Sequence, residues 1–170
     1  TLQEESFAAV EGGLGKTWKR ARNRMKDAWA DPTAERMHEW RKRVKYHQYH
    51  ARLLAPVNPA MVEPHRRAVE RLSDILGDHH DLAVLGERLE RDDMAELGAD
   101  MPGFADLMRI RQEGLTTEAF ELGRVLLSER RKPLVKRWKA EWSRWRDDED
   151  QGSMAFAGEN GRDGRVFPIR

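Results

Sequence analysis

The chain has 170 residues, 39% of them apolar and 36% charged, so it can bury a core without disulfides and does not have the composition of an extended disordered chain. With 3 Ile, 9 Val and 5 Thr against 16 Leu and 18 Ala, it has too few β-branched residues for a sheet protein; an all-β fold is excluded and an all-α fold is expected. The formal charge is +1, but residues 16–52 hold 12 Lys/Arg against 4 Asp/Glu, and the absence of cysteine excludes a disulfide framework, a thiol nucleophile and a thiolate metal site.

Helical periodicity runs through most of the chain, punctuated by Pro and Gly. Phe7, Val10, Leu14, Trp18, Ala21, Met25 and Trp29 recur at spacings of three and four, which predicts a first helix over 4–29. Asp31-Pro32 closes it and opens a second helix, with Asp31 as N-cap and Pro32 in the first turn. That helix runs to about Leu54 and turns Met37, Trp40, Val44, Ala51 and Leu54 to its apolar side. Asn58-Pro59 repeats the device before a third helix striped by Val62, His65, Val69, Leu72 and Leu76, which Gly77 is expected to stop. A fourth helix is expected to start in a turn over 78–81, with Asp78 or Asp81 as its cap, and to carry Leu82, Leu85 and Leu89 until Gly98 and Pro102 break it. The fifth covers 104–127 through Phe104, Met108, Leu115, Ala119, Leu122 and Leu126. Pro133 starts a sixth with Leu134, Trp138, Trp142 and Trp145 near one side, and the Gly-rich, polar residues 151–170 read as a C-terminal tail. Short links between long amphipathic helices predict an antiparallel bundle of about six helices over 4–150. No run approaches the roughly 18 apolar residues of a membrane span and no basic-then-apolar segment opens the chain, so no membrane partner and a cytoplasmic location are expected.

The chemistry gathers in two places. On helix two, His38, Arg41, Lys42, Lys45, Tyr49 and Arg52 fall within about 60° of one direction, opposite Trp40, Val44 and Ala51, and make a basic ribbon with no acid on its own side. Like charges at three and four apart repel, and an ordinary solvated face would intersperse Glu. A linear anion with regular phosphates would relieve the repulsion, with Arg forking onto phosphate oxygens and Lys adding point charges. On helix one, Lys16, Lys19 and Arg20 lie opposite the Trp18/Met25 stripe and Arg24 flanks it. The second place is Leu76-Gly77-Asp78-His79-His80-Asp81-Leu82, where paired histidines and carboxylates resemble a metal cluster. Adjacent helical residues diverge by about 100°, however, so His79 and His80 can hardly share an ion, and no H-E-x-x-H pair exists. His47 and His50 have a chelating spacing but read equally as an exposed pair, and His65 reads as a core or interface histidine. Gly12-Gly13-Leu14-Gly15-Lys16 does not fit a phosphate-loop pattern of the right length and no strand precedes it. No metal and no cofactor are implied.

Two segments carry a family resemblance: Arg36-Met37-His38-Glu39-Trp40-Arg41-Lys42-Arg43-Val44-Lys45 and, about thirty residues on, Leu76-Gly77-Asp78-His79-His80-Asp81-Leu82-Ala83-Val84-Leu85. Together with Gly13-Leu14-Gly15-Lys16-Thr17-Trp18-Lys19-Arg20 and the Trp-rich helix near 138–145, they resemble the CHAD family, the conserved-histidine α-helical domain, over residues 7–147 and most closely its C-terminal half. The resemblance implies two helical-bundle halves around a basic cavity and binding of inorganic polyphosphate, often at polyphosphate granules. It carries a binding role onto His38, Arg41, Lys42 and Lys45, and a structural or binding role onto His80 and Asp81, with Gly77 as a structural position. Only one copy of the motif pair is present, and the His65/Val62/Val69 stripe beside abundant Trp suggests more apolar surface than one small bundle hides, so a homodimer or packing against a missing N-terminal half is expected. Two other readings stay open: a metal-dependent phosphohydrolase using His38, His80 and Asp81, and a nucleic-acid binder, although nearly all six Trp fall on apolar stripes.

Overall fold

Alternating long apolar stripes and short links produce helices that pack side by side. A computed structural model describes residues 6–91 and 103–159, with side chains up to residue 149. Among these residues the elements are α1 (Ala8–Ala30), α2 (Ala34–Leu54), one 3-10 turn (Ala55–Val57), α3 (Pro59–Leu89), α4 (Phe104–Leu126) and α5 (Arg131–Glu159). α2 is the central helix, with α1 on one flank and α3 on the other; α4 packs on α3 and α5 on α1. The all-α bundle expected from composition is what forms.

The stripes read from sequence supply the core. Leu14, Trp18 and Ala21 of α1 meet Met37, Trp40, Val44 and Ala51 of α2, all buried, with Leu72 and Leu76 of α3, Leu115 and Ala119 of α4, and Leu134 and Trp138 of α5. Trp29, last of the α1 stripe, is 60% exposed and only edges Phe120. Polar side chains fasten the helix ends. Arg22 Nε donates to the carbonyl of Leu127, the C-cap of α4, at 2.8 Å, and Trp18 Nε1 donates to the Glu129 carbonyl in the α4–α5 link at 2.9 Å. Asn58 Nδ2 donates to Glu141 Oε2 at 2.7 Å and ties the α2–α3 turn to α5. Gly103, at φ 86, occupies the left-handed region that favours glycine and starts α4.

Four local expectations are corrected. The N-cap of α2 is Thr33, whose side chain accepts from the Arg36 N–H at 3.3 Å, while Asp31 ends α1 and pairs with Arg36. Asn58 is the cap expected at α3, accepting from the Met61 N–H. Gly77 does not stop a helix: α3 continues through it to Leu89, so the expected third and fourth helices are one, and neither Asp78 nor Asp81 is a cap. The physical reason is that Leu72, Ile75, Leu76 and His79 are buried on both sides of Gly77, and packing outweighs one glycine's penalty of about 1 kcal/mol. The 62/65/69 stripe is also consumed within this bundle, with Val62 and Val69 buried, so it does not supply the apolar surface for a second one. At the far end, α5 continues through residues 151–159, which the sequence assigned to the tail; 160–170, with the rest of that tail, and Gly98 and Pro102 lie outside the described residues.

Gly77 also yields a signed prediction. A Cβ there would stand 3.7 Å from Arg41 Nε and 3.8 Å from its terminal nitrogen, which is ordinary contact. Gly77→Ala is therefore expected to raise stability by about 0.5–1 kcal/mol through helix propensity alone. A lower urea midpoint in the variant would show that the glycine is required sterically.

Candidate anion-binding site

The two sequence segments meet at the seam between α2 and α3. His38 and His80 place their rings 4.2 Å apart between centroids, tilted by 38°. Three residues further along α2, Arg41 lies over Gly77. A helix shows neighbours at three and four apart on one face, so His38, Arg41, Lys42 and Lys45 follow each other along the α2 side of the seam, with Gly77 and His80 on the α3 side. His79, as its 100° divergence predicts, turns away: it is buried, and its carbonyl accepts from Gln112 of α4. Asp81 is exposed within α3 and caps nothing.

Burial and charge shape the seam. His38 Nδ1 and Arg41 Nε are buried with no hydrogen-bond partner among the described residues. Burial first, then His80, Lys42 and Arg41, pull the His38 pKa below its usual value, against a small opposing pull from Glu39. Charging His38 would also strand a second N–H, because Nδ1 has no acceptor. The seam therefore holds a neutral His38 at pH 7, with its proton on Nε2, beside a permanently charged guanidinium. Among the described residues, Arg41 and Lys45 have no ion-pair partner within 4 Å.

Other members of the expected ribbon are already engaged. Lys42 pairs with Glu39, which also lies 3.7 Å from Arg43, so the ribbon does have an acid within reach; lysine's flexible stem brings the two together across the flank of α2. Arg52 donates to Glu70 at 2.7 Å and joins a chain in which Arg66 bridges Glu70 and Glu63. Arg66 and Arg67 hold the Glu63 carboxyl down to about 2. On α1, Arg24 pairs with Asp27 at 2.9 Å and lies across α2 from His80, facing the side that carries Glu39. Lys16, Lys19 and Arg20 are exposed on α1 and, among the described residues, make no hydrogen bond or ion pair with the seam residues. His38, His80 and Arg41 thus meet at the seam, Lys42 and Lys45 follow on the same side of α2, and Arg24 and Arg52 are engaged by Asp27 and Glu70.

Sequence reasoning missed a buried imidazole pair. His47 is 1% exposed, not a surface partner of His50, and its Nε2 lies 2.8 Å from Nε2 of His65. Trp18 and Trp138 flank both rings. His50 instead bonds the Tyr46 carbonyl one turn back. The signal was present: residue 47 falls between Trp40 and Leu54 around the helix, inside the apolar sector. Among the described residues, no group of three or more His, Asp or Glu stands close enough together to hold a metal ion.

A helical bundle with a paired-histidine, arginine-bearing seam between two consecutive helices is the class of protein that this fold and site define. The CHAD domain model matches residues 2–90, more than half of the chain, and the chain belongs to that family. The match takes in α1, α2 and α3, and so both sides of the seam; α4 and α5 lie beyond it. No curated protein and no solved structure matches the chain. No helix among the described residues is long and apolar enough to cross a membrane.

Proposed function

We propose that this chain is a non-enzymatic module that binds inorganic polyphosphate along the α2–α3 seam. The observation that carries the reading is Arg41, unpaired by any carboxylate among the described residues and held beside neutral His38 and the ring of His80. Arg41 forks onto phosphate oxygens, Lys45 and Lys42 add charge along the polymer, and His38 donates through Nε2. Counterion release supplies the affinity, as it does for other polyphosphates with regular charge. Family membership supports the same ligand class, and a place at polyphosphate granules follows if the ligand is the long polymer. The mixed use of Glu39 means that a phosphate must compete for Lys42, so Arg41 contributes more than its neighbour.

Binding is expected to survive EDTA, and no phosphate is expected to be released. With Arg41, Lys42 and Lys45 all changed to Ala, the log–log dependence of affinity on salt should lose about 2 in slope. Wild-type slope in that variant would place the site elsewhere, and turnover abolished by Asp81→Asn would replace the reading with the metalloenzyme. A competition against single-stranded RNA and duplex DNA separates the nucleic-acid reading, which the burial of Trp18, Trp40 and Trp138 disfavours. We also propose that the chain packs with a second bundle, its own copy or an N-terminal half, since Leu107, Ile110 and Val125 remain exposed on α4. Light scattering at high concentration tests self-association.

A further inference from the structure

α1 and α5 enclose a groove of about 420 Å³, on the opposite side of α1 from α2. Its volume lies in the range of small-ligand sites. One wall is α5, which contributes Arg131, Lys132, Lys136 and Lys139; the other is α1, where Gly12 and Gly15 form the floor. The sole acid lining it is Glu11, 3.7 Å from Lys139 Nζ. The groove of similar size between α1 and α2 differs in kind: there Arg24, Lys26 and Arg36 are balanced by Asp27, Glu35 and Glu39.

Three features set the α1–α5 groove apart from a solvated face. Lys132, Lys136 and Lys139 recur at four and three, so they stand over one another on one flank of α5 and repel. Arg131 and Lys132 also occupy the first turn of α5, which has no acidic residue, where the helix dipole disfavours cations. Glycines at 12 and 15 lower the helix propensity of α1, yet they leave room for the groove. A Cβ at Gly15 would stand 3.3 Å from Val135 Cγ2 and 3.4 Å from Arg131 Cδ, whereas one at Gly12 would meet nothing within 4 Å. Lys19 continues the line of Gly12 and Gly15 one turn further along α1 and extends the positive edge.

We infer that the α1–α5 groove is a second oligophosphate site, physically separate from the α2–α3 seam and built on a helix outside the segment matched by the family model. The inference takes its ligand class from the proposed function and adds a site to it. A short oligophosphate fills one groove, whereas a long polymer spans both, so the second site raises affinity for long chains through effective concentration.

Calorimetry with inorganic tripolyphosphate at low salt, with EDTA present, tests this on the whole chain. About two molecules are expected to bind per chain, and about one to the variant with Lys132, Lys136 and Lys139 changed to Ala. All three lysines are exposed, so the variant should unfold within about 0.5 kcal/mol of wild type. Gly12→Glu, which places a carboxylate into open space on the floor, is expected to remove the same site while every lysine stays. Changing Arg41, Lys42 and Lys45 to Ala should remove the other site and leave the groove occupied. Binding of a single tripolyphosphate that the α2 variant abolishes would overturn the second site and keep the first. Two-site binding unaltered by both groove variants would also overturn it. Binding lost only with the groove variants would uphold the groove and refute the seam.

Discussion

Between pH 7.5 and pH 4.5 the folded protein is expected to lose several kcal/mol of stability, a loss that begins above the range in which ordinary carboxylates protonate. The cause is the His47–His65 pair. At 2.8 Å, one Nε2 donates and the other accepts, so the rings hold opposite tautomers. His47 Nδ1 is buried with no partner, and the cheaper arrangement makes His47 the donor, leaving a bare lone pair there instead of a stranded N–H. His65 then accepts at Nε2. Protonating it destroys the bond and places a cation between two indoles.

The pKa directions agree with the geometry. Burial, then Arg137, pull His65 down to about 4, with Glu129 opposing. Burial, then His65 and His50, hold His47 well below its usual value. A group whose folded pKa is depressed binds its proton more readily in the unfolded chain. Its stabilisation is therefore whole above the unfolded value of about 6.5 and is lost as pH falls toward the folded value. For His65 that window runs from about 6.5 to about 4 and is worth roughly 3 kcal/mol. His47, His79 and His38 shift the same way and steepen the loss. Glu63, held at about 2 by Arg66 and Arg67, acts only in stronger acid. Urea midpoints followed by tryptophan fluorescence check this, since Trp18 and Trp138 border the pair. His65→Gln, which keeps an acceptor for His47, should flatten the profile by the His65 share. A wild-type midpoint unchanged from pH 7.5 to 4.5 would refute the account.

The helices were legible because each buries one continuous stripe, and a period of three and four is a direct trace of that burial. Their punctuation was less legible. Gly77 and Gly103 are the same residue type, yet one lies inside a helix and the other begins one; the difference is packing by neighbours distant in sequence. Asp31 and Thr33 both suit an N-cap, and the choice depends on where α1 releases the chain. The site was half legible. His38, Arg41 and His80 converge because α2 and α3 are antiparallel neighbours, which sequence implied. Lys16 and Lys19 share the sign of charge with them but stand on α1, which forms neither wall of the seam, and charge alone carries no direction. Glu70, far from Arg52 in sequence, neutralises it across the seam.

Gly123→Ala is expected to destabilise the protein by about 2 kcal/mol, although it replaces a poor helix former with the best one. The Trp40 side chain of α2 reaches the backbone of α4 here. A Cβ on Gly123 would lie 2.6 Å from Trp40 Cζ2, 2.8 Å from Cη2 and 3.2 Å from Met25 Sδ. Trp40 cannot retreat, because it is fully buried and its ring stacks on Phe120 at 5.3 Å between centroids with 14° between planes. Either α4 moves outward, opening the α2–α4 packing, or Trp40 leaves its rotamer and carries α2 with it. Both sacrifice contacts worth more than the propensity gain of about 1 kcal/mol. Gly114, in the same helix, is exposed and has nothing within 4 Å of the corresponding Cβ. Gly114→Ala should therefore raise stability by about 0.5–1 kcal/mol, and the same substitution on one helix changes sign with its surroundings. Adding Trp40→Phe, which deletes the ring carbons that clash, tests the cause. The double variant should be more stable than the sum of the two single changes by about 1 kcal/mol. Strict additivity, or a Gly123→Ala protein at least as stable as wild type, would mean that the close approach of α4 does not constrain this core.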